Sequence, residues 1–146
     1  MVSKYRKIFN KQFTDEKHQA LKEDIAADFD YNPTFRLGET PFFISNELKD
    51  QLIEGCNDVV ALIQQENFKQ LTNKALELNT KVPNEDEHST FIAIDFGICE
   101  EDGNTIPKLI EVQGFPSLFN YQVNLFEKFQ NQYPFLNELT PFLKDI

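Results

Sequence analysis

The strongest constraint on this chain is a pair of apolar runs held around a tight acidic turn. Phe91 to Ile98 is almost uninterrupted apolar sequence, and Leu109 to Gln113 is a second, shorter run. Both are rich in the β-branched and aromatic residues that suit strands. Between them Glu100 to Thr105 is acidic, with Asp102-Gly103-Asn104 at its middle, a hairpin-turn signal. The pattern predicts an antiparallel hairpin followed by a Gly114-Phe115-Pro116-Ser117 corner that starts a helix.

Side chains alternate between the two faces of a strand. On the first strand Ile92, Ile94, Phe96 and Ile98 share one face, and Phe91, Ala93, Asp95 and Gly97 the other. On the second, strict alternation groups Lys108, Ile110 and Val112 against Leu109, Glu111 and Gln113. A hairpin centred on Gly103 opposes Asp95 to Glu111, with Cβ atoms roughly 5 Å apart, and leaves Gln113 on the same face. Two carboxylates so placed repel unless a proton or a cation lies between them. The small Ala93 and Gly97 leave room above Asp95. Hard cations such as Mg²⁺ favour carboxylate and amide oxygens, so Asp95, Glu111 and Gln113 are the predicted metal ligands. The plainer alternative puts the carboxylates on the solvated face of an ordinary hairpin. An acid/base pair of a small hydrolase has no further residue to support it.

Asp95 followed by Lys108-Leu109-Ile110-Glu111-Val112-Gln113-Gly114-Phe115-Pro116-Ser117 resembles the metal-binding hairpin of ATP-grasp ligases. It is most similar to the circularly permuted group typified by glutathionylspermidine synthase, in which an Asp strand precedes K-x-x-E-x-N-x-x-P-[ST]. The resemblance implies that Asp95, Glu111 and Gln113 hold Mg²⁺ on ATP phosphates, with Ser117 closing the motif as a substrate or phosphate contact. Gln113 stands where the family has Asn, and Ala93 where it has Arg. The fold it implies is α+β: a sheet centred on the antiparallel hairpin with flanking helices, as in part of an ATP-grasp domain. The implied activity is ATP-dependent carboxylate–amine ligation. Such a ligase also needs a nucleotide-covering lid, so residues 1–146 are expected to be one domain, the N-terminal portion of a larger protein, inactive alone. ATP would bind only with the C-terminal portion.

Composition narrows the partners. The formal net charge is −10 and the pI about 4.6, which disfavours phosphate backbones and so nucleic acid. No apolar run is long enough to span a membrane, and MVSKYRKIF lacks a signal-peptide core. Cys56 and Cys99 suggest neither a disulfide framework nor a zinc site, in keeping with a reducing cytoplasm. Fifteen Phe and no Trp imply dry, interdigitated packing. Gly-rich phosphate loops and nucleophile elbows are missing from the sequence.

Along the chain, Val2 to Phe13 has Tyr5, Ile8, Phe9 and Phe13 at helical spacing with Lys and Arg opposite. Thr14 caps a second helix carrying Leu21, Ile25 and Ala26, making residues 1–33 a helical arm that ends in an Asp30–Pro33 turn. Residues 34–45 are read as one or two short strands broken at Gly38 and Pro41. Arg36, Glu39 and Thr40 there are candidate lining for a ligand cleft, an Arg36–Glu39 surface pair being the simpler reading. Ser45 caps a helix over Asn46–Gln65 with a Leu48, Leu52, Cys56, Val59, Val60, Ile63 stripe, and Phe68–Leu78 continues with Leu71, Ala75 and Leu78 inward. His88, in the acidic loop before the hairpin, is a candidate base or substrate contact; His18 reads as an exposed helical histidine. A final helix over Leu118–Asn131 spreads Phe119, Tyr121, Val123, Phe126 and Phe129 too widely for one stripe. The competing reading is a non-catalytic acidic interaction module, in which the Phe-rich 115–143 region docks a partner, a second copy or a C-terminal domain.

Overall fold

The computed structural model describes residues 2–29, 34–76, 80, 82–86, 88–114 and 118–139. Among them the fold is α+β: five α-helices, two short 3₁₀ turns and one antiparallel hairpin. The helices are α1 (Ser3–Gln12), α2 (Asp15–Phe29), α3 (Asn46–Ile63), α4 (Phe68–Thr72) and α5 (Phe119–Gln132), and the strands β1 (Ala93–Glu101) and β2 (Asn104–Gln113). No helix of the described residues is long and apolar enough to cross a membrane. The chain divides into two compact units, one of Met1–Ser45 with Ser117–Ile146 and one of Asn46–Pro116.

The first unit is an aromatic knot. Phe9, Leu21, Ile25, Phe43, Phe129, Tyr133 and Leu136 are its buried members, with Tyr5, Phe13, Tyr121 and Leu125 packed around them. Phe9 is the hub: its ring lies 4.5 Å from Tyr133, 6.2 Å from Phe129, 6.4 Å from Phe43 and 6.1 Å from Phe13, centroid to centroid. Tilted and edge-on arrangements of this kind suit aromatic quadrupoles. α2 starts as expected, with the Lys17 N–H donating to Thr14 Oγ1 at 3.2 Å. Residues 34–45, expected as strands, form none. With Gly38 and Pro41 interrupting and no neighbouring ladder, they run as an irregular strap pinned by Val2 N–H donating to Phe43 O at 2.8 Å.

α5 presents one stripe to the knot and leaves Phe126 half-buried off that line. Tyr121, Leu125, Phe129 and then Tyr133 face the knot at steps of one turn, while Val123 is exposed. The Phe129 ring is thus committed to this unit's own core. α5 also clasps α2 by polar contacts: Lys128 Nζ sits 2.8 Å from Asp28 Oδ2, and Asn124 Nδ2 donates to the same oxygen at 2.8 Å. The hydrogen bond from Lys128, then that from Asn124, holds the Asp28 carboxyl below its ordinary range.

In the second unit, Phe96 of β1 packs on Gly55 of α3, where an added Cβ would lie 3.1 Å from the ring. Only Leu48 of the expected α3 stripe is fully buried; Leu52, Cys56, Val59, Val60 and Ile63 are half-buried. α4 stops at Thr72 and passes into a 3₁₀ turn over Asn73–Ala75. There the Thr72 hydroxyl donates back to Phe68 O at 2.9 Å, a bond that competes with helix continuation. Leu71 and Ala75, expected inward, are exposed. Leu78, the Asp30–Pro33 turn, the 115–117 corner and residues 140–146 lie outside the described residues.

Two outcomes follow for the first unit. Phe9→Ala removes the hub of the knot and lowers unfolding free energy by about 3–5 kcal/mol in urea titration. A carboxyl held low when folded stabilises the fold at all pH above its unfolded pKa, and that contribution vanishes as pH falls through the folded one. The α2–α5 clasp therefore weakens below about pH 4. Asp28→Asn flattens this part of the acid limb, read as thermal midpoint against pH.

Candidate functional site

Register positions everything on the hairpin. Asp102 and Gly103 both take positive φ, 51° and 77°, as a two-residue type I′ loop requires. Glu101 pairs with Asn104, and the ladder proceeds through Cys99–Ile106, Ile98–Pro107 and Gly97–Lys108 to Phe96–Leu109. The register then shifts: Asp95 pairs with Glu111, Ile94 with Val112 and Ala93 with Gln113, leaving Ile110 as an extra residue in β2. This is a β-bulge, two residues on one strand against one on the other.

The bulge corrects the strict alternation expected for β2. Leu109 lies on the Phe96 face that packs on α3, whereas Lys108, Glu111 and Gln113 lie on the opposite face with Asp95. The expected Asp95–Glu111 pairing is present, yet a hairpin with its centre between Asp102 and Gly103 would by itself set Asp95 against Ile110. The extra residue restores the carboxylate pair. It also alters the surroundings. The Ile110 side chain reaches over Gly97, with Cδ1 3.4 Å from where a Cβ would stand. On the Gly97 side, the room expected above Asp95 is therefore taken by an isoleucine that is itself 68% exposed.

The three predicted ligands converge. Gln113 Nε2 donates to Asp95 Oδ2 at 3.1 Å and to Glu111 Oε1 at 2.8 Å. One amide nitrogen thus bridges two carboxylates, its two N–H groups doing what a cation does in drawing like charges together. Asp95 is half-buried, and Glu111 and Gln113 are exposed. Among the described residues no group of three His, Cys, Asp or Glu forms that could hold a metal ion, and the Gln113 amide presents its nitrogen, not its oxygen, to the two carboxylates. Two carboxylates and one amide oxygen are a donor set of the hardness that Mg²⁺ or Mn²⁺ takes, water or phosphate oxygens completing the shell. Lys108, on the same face, is drawn toward the turn by Glu101, 3.3 Å away.

His88 is exposed in the loop before β1. Ser117 lies outside the described residues. Arg36 is exposed, and no Arg36–Glu39 ion pair forms. Glu39 and Thr40 do line a cleft in the first unit, of ≈ 100 Å³, together with Arg6, Phe9, Asn10 and Phe13. Its cation is Arg6, whose Nη1 donates to Thr40 Oγ1 at 3.0 Å. Sequence reasoning had left Arg6 on the polar side of α1. The clue was its place three residues before Phe9, which puts it beside that ring on the surface of α1.

No protein-family model matches this chain, and neither do any curated proteins or solved structures.

Because the turn sets the register, it is the point at which to perturb the trio. Nothing lies within 4 Å of a Cβ added at Gly103, so Gly103→Ala tests backbone strain alone. It costs about 1–2 kcal/mol of hairpin stability, measured as loss of amide protection along β1 and β2.

Proposed function

We propose that the hairpin is a divalent-cation grip, the metal-holding element of an ATP-grasp-like, Mg²⁺-dependent carboxylate–amine ligase. The single observation that carries this is the Gln113 amide bridging Asp95 and Glu111. That bridge gathers the three side chains of the motif on one face of the hairpin, and an ion replacing the N–H groups would meet the amide oxygen once the amide turns over. In this role Asp95 and Glu111 supply the charge that holds the ion, and the Gln113 amide oxygen is its neutral ligand. When bound, Mg²⁺ would neutralise the charge of nucleotide phosphates as a carboxylate is activated through an acyl phosphate.

The residues of this chain contribute binding and orientation to that chemistry. The bulge at Ile110 aims Glu111 at Asp95, and packing of Phe96 on Gly55 fixes the opposite face of the same strand. In this reading the chain itself supplies metal binding, and ligation belongs to a larger ATP-grasp-like assembly that includes it. The acidic surface and the two free cysteines fit a reducing, cytoplasmic setting.

Isothermal titration with Mg²⁺ and with Mn²⁺ tests this. Binding at millimolar metal or below is expected, and Asp95→Asn and Glu111→Gln should each weaken it tenfold or more, a loss that even outer-shell partners of metal sites produce at about that size. Heat signals that are missing from the wild-type chain, or that persist in both variants, would refute the assignment.

A further inference from the structure

The hairpin has two outer edges, and they are built differently. The edge of β2 carries Pro107, which has no N–H to offer, then Lys108, then the bulge at Ile110. Proline, lysine and a bulge are three devices by which a sheet refuses another strand. The edge of β1 from Ala93 to Cys99 has no proline, no lysine and no bulge, and a single charge, Asp95.

Backbone groups along an antiparallel pair alternate between bonding the partner strand and pointing outward. Glu101 and Asn104 close the two-residue turn as a bonded pair, so Cys99 and Gly97 bond β2 while Ile98, Phe96 and Ile94 direct N–H and C=O outward. The position of Pro107 opposite Ile98 agrees, since no N–H is needed there. Among the described residues no strand pairs with that outward ladder. A two-stranded hairpin is marginal in water by itself, and Leu109 and Ile98 remain 53% and 36% exposed beside it.

We propose that the outer edge of β1 accepts an extended segment of a partner protein as a third antiparallel strand, one that alternates apolar with basic residues. Charge selects this occupant. A strand added on the face of Asp95 sets a side chain about 5 Å from a carboxylate that already shares its one amide donor with Glu111. Lysine or arginine there neutralises the pair, and another acid deepens the repulsion. A second copy supplies no such residue, because β1 contains no basic side chain. Symmetric pairing centred on Phe96 makes the two Asp95 residues diagonal neighbours, and pairing centred on Gly97 sets Ile94 against Glu100. Each copy also carries a net charge of −10. On the other face Ile94, Phe96 and Ile98 continue an apolar surface that calls for apolar residues at alternate positions of the incoming strand.

The test uses the whole chain in metal-free buffer, with a synthetic heptapeptide alternating valine and lysine and its valine–glutamate counterpart as probes. The lysine peptide is expected to bind about tenfold or more tightly than the glutamate peptide. It should slow hydrogen exchange at the Ile94, Phe96 and Ile98 amides. Ile98→Pro, which removes an outward N–H, should abolish binding. Ile98→Lys, which keeps the ladder to β2 and charges the edge, should weaken it, and so should Asp95→Asn. Equal binding of the two peptides overturns the proposal, as does binding that survives both Ile98 variants. Self-association of the chain that protects the same amides overturns it as well. None of these readouts depends on whether the trio binds a cation.

Discussion

The Asp95–Glu111 pair exists only because two local features agree on register. The Asp102-Gly103 loop sets the pairing up to Phe96–Leu109, and the bulge at Ile110 advances β2 by one residue beyond it. Remove either and the side-chain period of two carries Glu111 away from Asp95. Gln113 would move with it, and the amide bridge would be lost. Whatever the trio binds, its geometry follows from a turn some seven residues from Asp95 and from a bulge immediately beside Glu111. Bulges of this kind commonly stand beside functional side chains, where they re-aim one residue without disturbing the strand.

The hairpin was legible because its signals are local and redundant: an Asp-Gly turn, alternating apolar positions and enough length on either side. The bulge was not. Centring on Gly103 reached the right carboxylate pair while ignoring both the two-residue loop and the extra residue, two offsets that cancel. The adjacent apolar residues Leu109 and Ile110, in a strand that otherwise alternates, are the trace it leaves in the sequence. Phe9, Leu21 and Ile25 were readable from helical spacing, whereas Tyr133 and Leu136 were not, because Pro134 reads as the end of an element. In fact it opens a 3₁₀ turn that folds Leu136 back into the knot. Residues 34–45 misled in the opposite direction, since β-prone residues without a neighbouring ladder have nothing to pair with.

The two units solve the problem of burial unequally. The first closes six other buried residues around Phe9, while Phe29, Phe35 and Phe42 of the same unit stay exposed. Among its described residues the second buries only Leu48 and leaves Leu62, Leu71, Leu109 and Ile110 more than half exposed. Its acidic residues and its uncovered apolar ones lie on the same short elements, a combination more typical of surfaces that meet something than of surfaces that only face water.

The first unit is drawn from both sides of the second. Phe9 finds Phe129 and Tyr133 across the whole of residues 46–116. On the ribosome, α1 and α2 emerge long before α5 exists, so their aromatic faces stay bare while the hairpin is still being made. Translation speed through the inserted residues thereby sets how long a greasy surface is offered to chaperones.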